Sequence, residues 1–160
     1  MPEEKKVGTT FDIRKVYLKD VSVESPHAPE IFLTNIGKPE IGIEVSIKTT
    51  NLEQENYYEV VLGVTVNSKI EEKTAFLVEV QQAGVFHIVG IPETDLPIAL
   101  EVACTNILLP FAREAISDLV GKAGFPQLLI SPINFESLYH AKLQETKKAQ
   151  QEQINSNESH

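Results

Sequence analysis

Four histidines and a single cysteine are the side chains of this sequence best suited to metal binding, proton transfer or nucleophilic attack, so their placement decides what chemistry is open to it. His27, His87, His140 and His160 lie far apart, without the close spacing by which one turn or helix face offers a metal two ligands. Cys104 stands among Leu100, Val102 and Ile107 with no base beside it, the setting of an inert buried thiol rather than a nucleophile. The sequence contains no HExxH, no GxSxG, no Walker-type GxxxxGK[ST] and no GxGxxG after a strand. No catalytic residue, metal or cofactor is therefore expected.

Charge narrows the partners. Asp and Glu number 23 against 14 Lys and Arg, a net charge of -9, which argues against a nucleic-acid or anionic-membrane surface and for a basic partner. The first seven residues lack the apolar core of a signal peptide, and no apolar run reaches the roughly 20 residues that span a bilayer. With one cysteine and no internal disulfide possible, a cytosolic protein of one domain is expected from the 160 residues.

The elements that would position any site begin with strands. Residues 1–10 are expected to be flexible, and residues 11–24 a strand with Phe11, Ile13, Tyr17, Val21 and Val23 on one face and Val16 and Leu18 on the other. Pro26, Pro29, Gly37 and Pro39 make residues 25–39 a long connection, unusually apolar at Ile31, Phe32 and Leu33. Ile41, Ile43, Val45 and Ile47 alternate with polar residues in a second strand, and Tyr58, Val60, Leu62, Val64 and Val66 do so in a third. After a charged turn over residues 68–73, a fourth strand over 74–82 sets Phe76, Val78 and Val80 against Ala75, Leu77, Glu79 and Gln81. Three hairpin-linked strands and one long return predict an antiparallel Greek key.

The period then becomes helical, with Thr94 as the expected N-cap and a break at Pro110. Leu108, Phe111, Ala112, Ala115, Ile116 and Leu119 form one stripe of the main helix, which Gly121 and Gly124 end. A last helix starts near Ser131-Pro132 or Asn134 and carries Phe135, Leu138, Tyr139 and Leu143 on one side, and beyond Gln144 it is expected to fray into a disordered tail. The fold class is thus α+β, a four-stranded antiparallel Greek-key sheet with two main helices. Val16, Leu18, Tyr57, Val61 and Leu77 leave surplus apolar surface on the second sheet face, for which neighbouring subunits are one cover. A groove built with Ile31, Phe32 and the last helix, open to extended apolar segments of a foreign chain, is the functional reading.

Several blocks in one order carry a family resemblance over residues 11–143. They are Phe11-x-Ile13, Tyr17-x-Lys19-Asp20-x-Ser22-x-Glu24-x-Pro26-x-Ala28-Pro29, Tyr58-Glu59-Val60-Val61-Leu62, Thr74-Ala75-Phe76-Leu77-x-Glu79-Val80-Gln81-Gln82, Asn106-Ile107-Leu108-x-Pro110-x-Ala112-Arg113-Glu114, Phe125-Pro126-Gln127-Leu128 and Pro132-x-Asn134-Phe135. The sequence resembles the SecB family of export chaperones. The resemblance implies an ATP-independent holdase for unfolded secretory precursors, assembled as a homotetramer, a dimer of dimers whose central layer is the helix over residues 110–120, and delivery to the SecA ATPase. It implies Asp20, Glu24, Leu77 and Glu79 as motor-facing residues and Tyr17, Phe32, Phe135 and Tyr139 as lining of the client groove, and it sets Leu108, Phe111, Ala112, Ala115, Ile116 and Leu119 at the tetramer interface. Two departures stand out: Thr105 replaces the proline common in the family, and Lys147 and Lys148 make the tail less acidic. A dedicated SecB-like chaperone for a single partner such as an antitoxin, and a small-ligand-binding protein using the same groove, are the competing readings.

Overall fold

A computed structural model describes residues 8–34 and 37–158, so the expected flexible start lies largely outside the described residues, as does His160. The alternating stretches form β1 (Thr10–Glu24), β2 (Glu40–Asn51), β3 (Tyr57–Ile70) and β4 (Lys73–Val89), with a single 3-10 turn, Glu30–Phe32, in the proline-rich connection. They make one antiparallel sheet in the order β1-β4-β3-β2, the expected Greek key with β1 returning beside β4. β4 runs past Gln82 to Val89, because Phe86 and Ile88 continue its buried row. The charged turn contracts to Glu71 and Glu72, at φ 48° and 68°. Two adjacent positive φ values suit the right-handed twist of a tight hairpin but strain residues with a Cβ by about 1 kcal/mol each. Glu72→Gly is therefore expected to raise unfolding free energy by up to about 1 kcal/mol, measured by urea denaturation.

β1 departs from strict alternation. Its register against β4 slips between Ile13 and Lys15 and again between Leu18 and Asp20, so Arg14 and Lys19 are the extra residues of two β-bulges. Each bulge inverts the parity of the residues beyond it. Phe11, Ile13, Val16, Leu18, Val21 and Val23 consequently pair with Ile88, Phe86, Gly84, Gln82, Val80 and Val78, all on the face that carries the helices. The expectation that Val16 and Leu18 face away from Phe11 and Val21 is corrected, and Tyr17 is the residue that changes sides. The buried Gln82 reinforces the second bulge, its Nε2 donating to the Tyr17 carbonyl at 3.1 Å.

The helical region begins at Asp95, one residue after the expected cap, with α1 (Leu96–Ile98), a π-helical segment (Ala99–Cys104) and α2 (Thr105–Lys122) in unbroken succession. Pro110 lies inside α2 without ending it, because the Asn106 carbonyl it leaves unpaired belongs to an exposed position that water can serve. The irregularity sits a turn earlier, where the fully buried Thr105 hydroxyl reaches the Glu101 carbonyl at 2.6 Å and that of Val102 at 3.0 Å. The position that departs from the family's proline thus supplies a hydrogen bond to the widened turn. By length and composition the run Leu96–Lys122 is apolar enough to cross a membrane, contrary to the sequence expectation, but here Leu108, Ala112 and Ile116 are buried on the sheet. At Gly84 a Cβ would fall 2.8 Å from Phe86 Cε2 and 3.1 Å from Leu108 Cδ2, so glycine sets how closely α2 approaches β4.

α2 ends with Phe125 N–H donating to the Val120 carbonyl at 3.2 Å and Gly124 at φ +95°. α3 (Phe135–Glu158) starts from Asn134, whose Oδ1 accepts the Ser137 N–H at 3.0 Å. It continues to Glu158 rather than fraying after Gln144, since Gln, Glu, Lys and Ala favour helix even where nothing packs against it. α2 covers β3 and β4 and leaves the apolar residues of β1 partly bare: Ile13 is 48% exposed, Leu18 50% and Val21 42%.

Candidate functional site

The outer sheet face, opposite the helices, gathers all four residues assigned to the motor contact. Glu24 stands opposite Leu77, Ser22 opposite Glu79 and Asp20 opposite Gln81, whose Nε2 donates to Glu79 Oε1 at 3.2 Å. Glu44, opposite Thr65 on the far side of β3, extends the acidic zone; its alternation with Ile43 and Val45 was the signal, although no motif marked it. Gly42 and Gly63 lie on the same face and keep its centre low. The arrangement is a flat acidic surface with one half-buried leucine.

Farther along this face Tyr17 and Lys19 reach across β4 to Glu59 on β3. Lys19 Nζ donates to Glu59 Oε1 at 2.8 Å and the Tyr17 hydroxyl to Oε2. These two bonds, Lys19 first, hold the Glu59 carboxyl below its ordinary value of 4.5, while burial and then Glu59 push Tyr17 up to about 12. Because the folded value of Glu59 is depressed, its stabilisation is present above 4.5 and lost as pH falls through the folded value. The stability difference between wild type and Glu59→Gln should accordingly shrink on acidification, as followed by urea denaturation at a series of pH values. Tyr17, expected in the client groove, belongs to this outer cluster.

On the helix side, three adjoining hollows follow β2 beneath α3. One of about 280 Å³ is lined by Val45, Ile47, Glu101, Leu138, Tyr139 and Lys142. It shares Tyr139 and Lys142 with a second of about 450 Å³ that reaches Leu143, and Val45 and Leu138 with a third of about 430 Å³. Together they form an apolar trough, closed at one point by Lys142 Nζ on Glu101 Oε1 at 2.9 Å. Tyr139 is in it. Phe135 is not: at 1% exposure it anchors the start of α3 in the core. Phe32 lies elsewhere, its ring 5.2 Å from that of Phe125, which in turn lies 5.0 Å from Phe76. Beside it a hollow of about 280 Å³ is lined by His27, Glu30, Ile31 and Ile70 and shares no lining residue with the trough. Val45, Ile47 and the Glu101–Lys142 pair are lining that the sequence reading missed, while Leu138 lies on the side of the last helix it assigned to the groove.

The stripe assigned to the tetramer interface also divides. Leu108, Ala112 and Ile116 are fully buried against their own sheet and have no surface to offer another copy. Ala115 is buried, Leu119 half-buried and Phe111 49% exposed. The stripe is wide enough to face both ways, and the sheet takes its inner edge. Among the described residues no group of three or more His, Cys, Asp or Glu can hold a metal, and burial pushes the Cys104 thiol up to about 12.

Comparison with known proteins agrees with this architecture. Residues 4–146 match the family model described as preprotein translocase subunit SecB. A protein-export protein SecB from Methylobacillus flagellatus is 54% identical over 139 residues, 87% of each chain. Its counterpart from Nitrosospira multiformis is 48% identical over 87% of this chain and 86% of that protein, and one from Neisseria meningitidis 51% identical over 81% and 87%. Among solved structures, a SecB-like chaperone from Mycobacterium tuberculosis in complex with an antitoxin peptide superposes with a TM-score of 0.64 at 16% identity, covering 77% of this chain and 90% of that one, a likeness of fold. With residues 4–146 matched by the family model and relatives about half identical over more than four fifths of its length, the chain belongs to the SecB family.

Proposed function

We propose that the chain is an ATP-independent holdase that binds unfolded secretory precursors in the cytosol and passes them to the SecA motor. The observation that carries this reading is the open apolar trough between β2 and α3, with Val45, Ile47, Leu138, Tyr139 and Leu143 along it and no phosphate-binding loop in the sequence. An extended client gains about 25 cal/mol for each Å² of apolar surface it buries there, and ordering costs cancel much of that gain. Affinity then grows with the number of hollows one chain fills, which favours long unfolded clients. Tyr139 serves as an aromatic contact in the trough, and Phe32, packed against Phe125, as one at a separate place on the surface.

The working form is a dimer of dimers. The bare apolar residues of β1 and the exposed Phe111 of α2 support it, because a lone chain would leave that surface in water. Asp20, Glu24, Leu77 and Glu79 on the outer face take the motor, leaving the trough free for the client. The role of a chaperone dedicated to one antitoxin is disfavoured, since relatives about half identical carry the export name. The test is suppression of aggregation of a slowly folding precursor without nucleotide, followed by release to SecA. A requirement for ATP, or preference for the folded precursor, would overturn the proposal.

A further inference from the structure

The outer face carries most of its acidic residues at one end. At the other, the first bulge sets Arg14 and Lys15 together opposite Val85. Arg14 Nη2 donates to the Tyr57 hydroxyl at 3.1 Å, and its guanidinium carbon lies 5.6 Å from the centre of the Tyr57 ring. That ring is stacked on His87 at 4.4 Å and 19°. The guanidinium is thereby held over an aromatic platform instead of sweeping through water.

Among the described residues neither Arg14 nor Lys15 has a carboxylate within ion-pair distance, whereas Lys19 is neutralised by Glu59. Asp12, opposite His87, is the acid paired across to this cluster. A fixed guanidinium with free N–H groups, flanked by an ammonium, matches the two oxygens of a carboxylate. Val85 and Glu79 are six positions apart on β4, about 20 Å. That exceeds the screening length of about 8 Å, so the two ends act as separate fields.

We propose that Arg14, Lys15, Tyr57 and His87 form a second docking subsite, which takes a carboxylate-bearing segment of the same motor whose basic segment lies on Asp20, Glu24 and Glu79. It rests on the reading that the motor docks on this face, and it deepens it: opposite charges at the two ends admit the partner in one direction only.

The experiment titrates full-length chain against SecA and, in parallel, measures holding of an unfolded precursor. Arg14→Glu with Lys15→Glu is expected to weaken SecA binding about tenfold or more and to leave precursor holding unchanged. The neutral pair Arg14→Gln with Lys15→Gln should show a smaller loss of the same sign, and it decides the matter should the reversed pair also lose precursor holding. Unchanged or tighter SecA binding by these variants, while Asp20→Lys with Glu79→Lys fails to bind, overturns this subsite and leaves the motor reading standing. Absence of SecA binding to the wild-type chain overturns both.

Discussion

Asp20→Lys combined with Glu79→Lys is expected to lower affinity for SecA about a hundredfold while client holding and assembly stay as in the wild type. Both residues are exposed on the outer face, opposite Gln81 and Ser22, and neither touches the core or the trough. Replacing two attractive contacts with two repulsive ones against a basic partner costs on the order of several kcal/mol, most of it on the association rate and most of it screened by salt. Side-by-side titrations with SecA and with an unfolded precursor are the measurement. Loss of both activities would mean that motor and client share a surface, and loss of neither would remove the outer face from the mechanism.

A second large effect is expected at β1. Leu18→Asp with Val21→Asp places carboxylates at two apolar positions on the helix side, 50% and 42% exposed in the single chain. If another copy covers them, the variant forfeits on the order of 3 kcal/mol of burial per interface, about a hundredfold in association, before the added cost of desolvating two charges. Size exclusion with light scattering should find a smaller species at micromolar concentration, and precursor holding should fall with it, since fewer troughs then act on one client. An unchanged mass would mean that β1 is bare in the working form and that assembly uses other surfaces.

The residues behind these two effects were unequally legible in the sequence. Counting placed the four residues proposed to face the motor on one side of the sheet, because Asp20 and Glu24 both lie beyond the second bulge and Leu77 and Glu79 sit on a strand with regular alternation around them. Tyr17 lies between the bulges, so the same counting put it on the wrong face. No glycine or proline marks either slip; the bulges arise from pairing with β4, which a local period cannot report. The helix stripe was ambiguous for a different reason. Leu108 and Phe111 are three apart and share a stripe, but whether such a residue meets the sheet or water depends on where the axis of α2 lies across β3 and β4. Phe135 was legible as apolar and as part of the last helix, and its use as a core anchor required knowing that it is the one residue of α3 that is buried.

The paired bulges also bear on how the length of this strand can change. Removing Arg14 or Lys19 takes out a residue that has no partner of its own on β4, so every other side chain of β1 keeps both its neighbour and its face. Removing almost any other residue between them forces the remaining segment either to slip by one, turning Val16 and Leu18 to the outer side, or to relocate a bulge. β1 therefore tolerates single-residue deletion at two defined places and resists it elsewhere, and the two tolerant places hold the cations that reach across β4 to Tyr57 and Glu59. Shortening the strand there would preserve the fold while erasing cross-strand contacts on the surface assigned to the partner, so recognition of that partner can change without the core registering it.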